Sequence, residues 1–295
     1  MNGPVLVTGA SGNAGSAVLA SLRSAGTQVR AAGTNPSALA RVHPDVDVVK
    51  LDFLDPATFE PALDGVEGVF LLRPPAIARV GPTLNAFIDV AVRTRAGHVV
   101  FSSVTGADTN RFVPHHKVES HLMASGLPWT ILRPGFFAQN LADAYRIDIV
   151  GRNRIVLPAG RGRAAFIDVR DVGEVAAAIL RDPEPHTGSA YTLTGPQALG
   201  FEEVATILTA ELGRHVRYEP VSVLRYALHL KLQGMGLAQT VVQTVLHAGL
   251  RRGQADHVDP TLARLLHRAP HALEQYVHDF RSVWAVSPQS RQSSG

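Results

Sequence analysis

The sequence predicts an α/β chain: a doubly wound parallel sheet followed by a smaller, mainly helical C-terminal part. Three observations predict it. Six short apolar segments, 4–8, 28–33, 46–50, 67–72, 97–102 and 128–132, have the length and the branched residues of buried strands. Helical stretches near 13–25, 36–41, 56–63, 80–95 and 114–125 separate them. Strands that alternate with helices build a parallel sheet through right-handed crossovers. From Arg133-Pro134-Gly135-Phe136-Phe137 onwards that rhythm breaks.

Local signals justify the elements in order. Asp55-Pro56 is a helix entrance, a capping side chain followed by proline in the first turn. Gly26, Gly65, Gly97 and Gly126 stand where helices should stop. Beyond the break, a helix over 169–182 opens near Asp168 and leads back to the sheet through a strand at 190–193. A helix at 200–212 and a strand at 215–218 follow. Residues 222–250 form two apolar helices split by Gly234-Met235-Gly236, and a last helix covers about 271–284. The expected division is a binding core at 1–133, then a mixed segment at 134–286 that rejoins the sheet over about 164–193. A Ser/Gln-rich tail at 287–295 is expected to be disordered.

Composition excludes several classes. The 295 residues contain no cysteine, which removes disulfides, thiolate metal sites and a cysteine nucleophile, and fits a reducing, cytoplasmic setting. The formal charge of +3 is small and its basic residues are scattered, so nucleic acid is not an expected partner. No apolar run is long enough for a membrane span, and no signal peptide is visible ahead of the first strand. Thirteen histidines are spread out without ligand spacing, so no metal site is expected.

The strongest motif lies at the start. Val5-Leu6-Val7 enters Gly9-Ala10-Ser11-Gly12-Asn13-Ala14-Gly15, and Ala14 to Leu22 continue with small and apolar residues at helical spacing. A buried strand, a glycine turn and a helix start together hold a pyrophosphate. Glycines let the backbone approach, and the helix N-terminus faces the anion. This is a Rossmann-type dinucleotide site, with Gly9, Ser11, Gly12, Asn13, Ala14 and Gly15 as its expected contacts.

The following strand ends supply the other candidates. At Thr34 and Asn35 a carboxylate would select NAD by binding the ribose 2′-hydroxyl. None stands between Arg30 and His43, which favours NADP over NAD. Arg41 could reach a 2′-phosphate only with a suitably oriented helix. Asp52 can accept from the adenine amino group, with Phe53 beside the ring and Asp55 left to cap the helix. Leu72 and Arg73 end the fourth strand. Leu72 should border the cofactor, and Arg73 either reaches a phosphate or acidic substrate or is simply solvated. Ser102 and Ser103 end the fifth strand, Ser102 towards the cofactor and Ser103 towards a substrate carbonyl.

Short-chain dehydrogenases follow that serine with Tyr-x-x-x-Lys on the next helix. None of the five tyrosines here, 145, 191, 218, 226 and 276, has a lysine four residues on. The helix instead carries His115-x-x-x-Glu119, one turn apart and on one face. A histidine there could donate a proton, with the glutamate orienting it and raising its pKa. The alternative is a helix-end histidine beside a structural glutamate.

Several separated motifs resemble the NmrA-like branch of atypical short-chain dehydrogenases. They are Val7-Thr-Gly-Ala-Ser-Gly-Asn-Ala-Gly15, Ser125-Gly-Leu-Pro-Trp-Thr-Ile-Leu-Arg-Pro134, Phe166-Ile-Asp-Val-Arg-Asp-Val172, Tyr191-Thr-Leu-Thr-Gly-Pro196 and Leu212-Gly-Arg-His-Val-Arg-Tyr218. The resemblance implies an NAD(P)H-dependent reductase similar to quinone-, azo- and imine-reducing relatives, including agroclavine-dehydrogenase-like ones, or else a non-catalytic dinucleotide sensor. It implies a His-x-x-x-Glu site at His115 and Glu119. It also implies a substrate-facing loop at Phe136, Phe137 and Asn140, for a small hydrophobic or aromatic substrate. Thr34 departs from the arginine common in NADP-binding relatives. The apolar helices over 222–250 would form a lid, ordinary core, or the contact of a homodimer.

Overall fold

The computed structural model describes residues 3–285, so the tail at 287–295 lies outside the described residues. In chain order the strands are β1 (Val5–Thr8), β2 (Val29–Gly33), β3 (Asp47–Lys50), β4 (Gly68–Leu72), β5 (His98–Ser102), β6 (Trp129–Pro134), β7 (Phe136–Phe137), β8 (Arg154–Leu157), β9 (Arg163–Ile167), β10 (Ser189–Leu193), β11 (Ala198–Gly200) and β12 (Arg217–Pro220). The helices are α1 (Asn13–Ser24), α2 (Pro36–Val42), α3 (Phe59–Leu63), α4 (Ala86–Arg93), α5 (Pro114–Ala124), α6 (Arg146–Arg152), α7 (Val169–Arg181), α8 (Phe201–Leu212), α9 (Val223–Leu232), α10 (Leu237–Leu250), α11 (Thr261–Leu266) and α12 (Leu273–Asp279).

The chain divides into two compact units. The first comprises the chain to Pro134, Val169–Leu193 and Thr261–Arg268. It holds a seven-stranded sheet in the order β3-β2-β1-β4-β5-β6-β10, parallel at every pairing. Strand order reverses between β1 and β4, which is where a doubly wound sheet opens a crevice at its carboxyl ends. Val5, Leu6 and Val7 are fully buried there, as a central strand covered on both faces requires. On α1 the buried residues Ala14, Gly15, Val18, Leu19 and Leu22 keep helical spacing. They let α7 approach closely: a Cβ on Gly173 would stand 2.7 Å from the main chain of Ala17. One core fills the opposite side of the sheet, where Phe53, Phe59 and Phe87 meet edge to face or tilted at 5.4–6.3 Å. Each such buried ring contributes about 1.5–3 kcal/mol over exposure.

The expected return to the sheet occurs, through α7 and β10. It begins at Val169 rather than near 164, because β9 belongs to the other unit. Three predicted helices are also irregular. The stretch from Pro56 starts as a 3-10 turn capped by Asp55, which accepts from the Ala57 N–H at 3.3 Å. The stretch from Gly81 starts as a π-turn leading into α4. The final helical segment breaks at Phe280 and ends in a 3-10 turn, Arg281–Trp284.

The second unit comprises Gly135–Asp168, Thr194–Pro260 and the chain from Ala269. Helices dominate it, as expected, but they pack on two small sheets, β11-β9-β7 and β12-β8, of whose strands only β12 was expected, at 215–218. The others are two to five residues long, too short for alternation to register. Its own core surrounds Phe166, Phe201, Tyr276 and Trp284. The break at Gly234–Gly236 separates α9 from α10 as predicted.

Candidate functional site

The three glycines of the first turn serve three different purposes. Gly9 has φ +65°, the left-handed region that L side chains avoid. Gly15 is required by packing, since a Cβ there would lie 2.1 Å from the Gly9 carbonyl oxygen. Gly12 is required by neither. Its φ is −98°, and an added Cβ would meet only the Gly9 oxygen, at an ordinary 3.5 Å. A side chain at Gly12 would instead fill the space in front of the turn. Gly12 is also the N-cap of α1, with no side-chain cap and no acid in the first turn. Such a helix end suits an anion, by its N–H groups and its dipole. The cradle therefore fits a pyrophosphate. Ser11, Gly12 and Asn13 are exposed, while Ala14 and Gly15 are buried and offer only main chain. Thr8 marks the crevice beside them: its hydroxyl oxygen accepts from the Leu72 N–H at 2.8 Å, and the Leu72 side chain packs under Gly9.

The tip of β2 is free of carboxylates, and Thr34 is exposed there. Asn35 is committed: its side-chain oxygen caps α2 by accepting from the Ala38 N–H at 3.0 Å. Arg41 sits in the last turn of α2, roughly 8 Å along the axis from its start, and so does not stand at the tip. Asp52 is not left wholly to a ligand. One carboxylate oxygen accepts from the Leu54 N–H at 2.9 Å, the short-range turn aspartates favour. Phe53 corrects the expectation more sharply. Its ring is buried against Phe59 and Phe87, so it supports the core and not an adenine.

At the ends of β4, β5 and β6 the expected His115–Glu119 pair does not form. Both side chains are buried on α5, as their spacing requires, but each takes a different partner. Arg73 is neither solvated nor reaching outward. Its Nη1 donates to the carbonyls of Pro74, Pro75 and Ile77, at 3.0, 3.3 and 2.6 Å, and ties down its own loop. Its Nε donates to His115 Nε2 at 3.1 Å. A guanidinium only donates, so His115 Nε2 is an acceptor and the ring is neutral. Burial, then the Arg73 charge, pushes the His115 pKa down to about 3. It is thus no imidazolium acid at neutral pH.

Glu119 is 2% exposed and needs a cation. Arg133 supplies it as a fork, Nε to Oε1 at 3.1 Å and Nη2 to Oε2 at 2.7 Å. Arg133 also reaches Asp108 at 3.2 Å, and the hydrogen bond to Glu119 raises its pKa against the effect of burial. The Ser103 hydroxyl donates to Glu119 as well, so it has no proton left for a substrate carbonyl. Ser102 is buried at the end of β5. Arg133 was missed as a site residue, although an arginine ending the apolar strand Trp129–Pro134 was a visible signal.

In the second unit, Phe136 is half-buried and its ring packs edge-on against Phe166, Phe201 and His247 at 5.3–6.4 Å. It belongs to that core, which corrects its assignment as a free substrate-facing ring. Phe137 and Asn140 are half-buried. A second neutral histidine escaped sequence reading. His247 Nδ1 lies 2.7 Å from the Gln243 carbonyl, to which it donates, and its Nε2 accepts from the Tyr145 hydroxyl at 2.5 Å. Burial lowers its pKa to about 4.

Comparison with known proteins agrees with this architecture. The chain is 31% identical to the uncharacterized oxidoreductase YesF of Bacillus subtilis, over 95% of this chain and 96% of that relative. It is 32% identical to an NAD(P)H azoreductase of Xenophilus azovorans, over 82% of this chain and 84% of the other. Among solved structures, the NADPH-dependent quinone oxidoreductase QOR2 of Escherichia coli, complexed with NADPH, superposes with a TM-score of 0.84. It is 26% identical and covers 94% of this chain and 99% of its own. A model of the NmrA-like family matches residues 1–277, and the chain belongs to that family.

Proposed function

We propose that this protein is an NADPH-dependent reductase that delivers hydride to a small conjugated, quinonoid or imine-type acceptor without a Tyr-x-x-x-Lys pair. The observation that carries the reading is Gly12: neither its backbone angles nor its neighbours demand glycine, and a ligand in front of the turn does. The main chain of Gly9, Ser11, Gly12 and Asn13, with that of Ala14 and Gly15 behind them, would hold the pyrophosphate. Thr34 would face the ribose, where the missing carboxylate leaves room for a 2′-phosphate. The second oxygen of Asp52 would serve the adenine, and Leu72 and Ser102 would border the nicotinamide. When bound, the reduced cofactor supplies hydride. The azoreductase and the quinone oxidoreductase above support this reading.

The polar cluster shapes the choice of acceptor. His115 is neutral and accepts from Arg73, and Ser103 already donates to Glu119. The one Ser103 proton is committed to Glu119, and His115 keeps only the weakly acidic Nδ1–H of a neutral imidazole, so no strong acid faces the substrate. Acceptors that take hydride first and are protonated from water suit such a site. Its residues contribute position: Arg73 and His115 fix the loop after β4, and Glu119 with Arg133 fixes the ends of β5 and β6. Phe137 and Asn140 are the proposed acceptor contacts, with Phe136 holding their strand and turn to the core of the second unit.

The test follows NADPH absorbance against a panel of quinones, azo dyes and cyclic imines, with NADPH binding titrated in parallel. Turnover with at least one class, faster with NADPH than with NADH, is expected. Tight binding without turnover on any acceptor would overturn catalysis and leave a dinucleotide sensor. Absence of binding would overturn the site itself.

A further inference from the structure

We infer that the outer face of α9 and α10 is where this chain pairs with a second copy of itself. Leu224, Leu228 and Leu232 repeat every four residues on α9 and are 83, 59 and 79% exposed. Leu237, Val241 and Val245 do the same on α10, at 70, 54 and 66%, and Val242 and Leu246 widen that ridge at 56 and 58%. The helices bury their other sides together: the rings of Tyr226 on α9 and His247 on α10 meet tilted, 5.4 Å apart, in the core of the second unit. Their aliphatic faces therefore both turn outward.

The amount of surface argues for an occupant. At ordinary side-chain sizes these eight residues leave on the order of 900 Å² of apolar area in water. An ordinary monomer's largest patch is about 300–600 Å², and a standard interface takes about 800 Å² from each partner. Packing i, i+4 ridges into the grooves of a like helix is the commonest way two helices meet.

Charge argues for a second copy rather than another partner. From Leu237 to Leu250 there is no Asp, Glu, Lys or Arg, and the one histidine is buried. Such a helix can cross its own copy on a two-fold axis without opposing like charges. The basic residues on α9 are Arg225, His229 and Lys231; Arg225 is already paired with Glu219 at 3.1 Å, and half-buried His229 with Asp148 at 2.6 Å. A helix that lies on lipid would place lysine, arginine or aromatic residues along this face. Here the one exposed polar residue on α10 is a neutral glutamine, Gln239.

Sedimentation velocity on the full chain at micromolar concentrations should find a dimer. Val241→Glu combined with Val245→Glu should give a monomer with the wild-type melting curve and wild-type NADPH titration. That titration keeps this test separate from the proposed activity. The absence of cysteine allows a second test that does not depend on how the charged variant folds. Val242→Cys should form a covalent dimer under mild oxidation, and Glu60→Cys, exposed on the first unit, should not. A wild-type monomer at every concentration would overturn the inference, as would a dimer that survives the double variant or equal cross-linking from both cysteines. Association only with phosphatidylcholine–phosphatidylglycerol vesicles would overturn it in favour of a lipid surface.

Discussion

The glycine turn and the cluster around Glu119 lie at the carboxyl ends of strands in one sheet, yet they are built in opposite ways. At the turn, Gly12 leaves space that the protein does not fill, and α1 begins without a side-chain cap. Around Glu119 the buried groups are paired: carboxylate with guanidinium, hydroxyl with carboxylate, imidazole with a second guanidinium. A group left open at low cost is ready for a ligand. A buried group that has found its partner holds the backbone. The difference separates binding from positioning within one strand end and the next.

The largest expected effect tests the positioning side. Glu119→Ala should cost about 3 kcal/mol in urea unfolding, because it leaves the Ser103 hydroxyl buried without its acceptor and the Arg133 charge with only the more exposed Asp108. Glu119→Gln, which keeps two polar atoms, should cost less. A loss within experimental error in the alanine variant would mean that the cluster is not holding the strand ends.

A second pair of variants tests the binding side. Gly12→Val should weaken NADPH binding a hundred-fold or more, about 2.7 kcal/mol, with little change in the unliganded melt. Gly15→Ala should instead lower the melt itself by about 1–3 kcal/mol, since its methyl group has no room against Gly9. Equal effects of the two variants on stability would erase the distinction drawn between these glycines.

The smallest effect concerns the neutral histidines. His115 in the fold has a pKa of about 3, below the ordinary 6.5 of an unfolded chain. Between those values the unfolded chain binds a proton that the fold refuses, so stability falls as pH drops through the window. His115→Gln should remove its share, on the order of 1–2 kcal/mol at pH 5, and leave those of His98 and His247, both lowered to about 4. Acid unfolding followed by circular dichroism checks this. An unchanged profile would mean that His115 is charged in the fold and would restore it as a proton donor.

Reading along the chain recovered the sheet, its doubly wound order and the turn, because each signal is local. Gly9, Gly12 and Gly15 carry their meaning within seven residues, between a strand and a helix that are themselves contiguous. The carboxylate-free tip of β2 was equally legible. Phe53 was misread because an aromatic beside Asp52 has two possible burials, and only the approach of Phe59 and Phe87 decides between them. Of the five short strands of the second unit only β12 was legible, as the strand expected at 215–218; the other four were invisible because pairing, not alternation, makes them strands.

By itself, then, the sequence determined the fold class, the glycine turn between β1 and α1, the absence of the usual tyrosine–lysine pair and the shared face of His115 and Glu119. The tertiary structure decided what those two residues do. Spacing on a helix sets the direction in which a side chain points, but its partner is whatever neighbouring strands and loops bring there. A buried carboxylate takes the nearest cation, and here that is Arg133 from β6, fourteen residues further along the chain. His115, left to the Arg73 loop, becomes neutral in consequence.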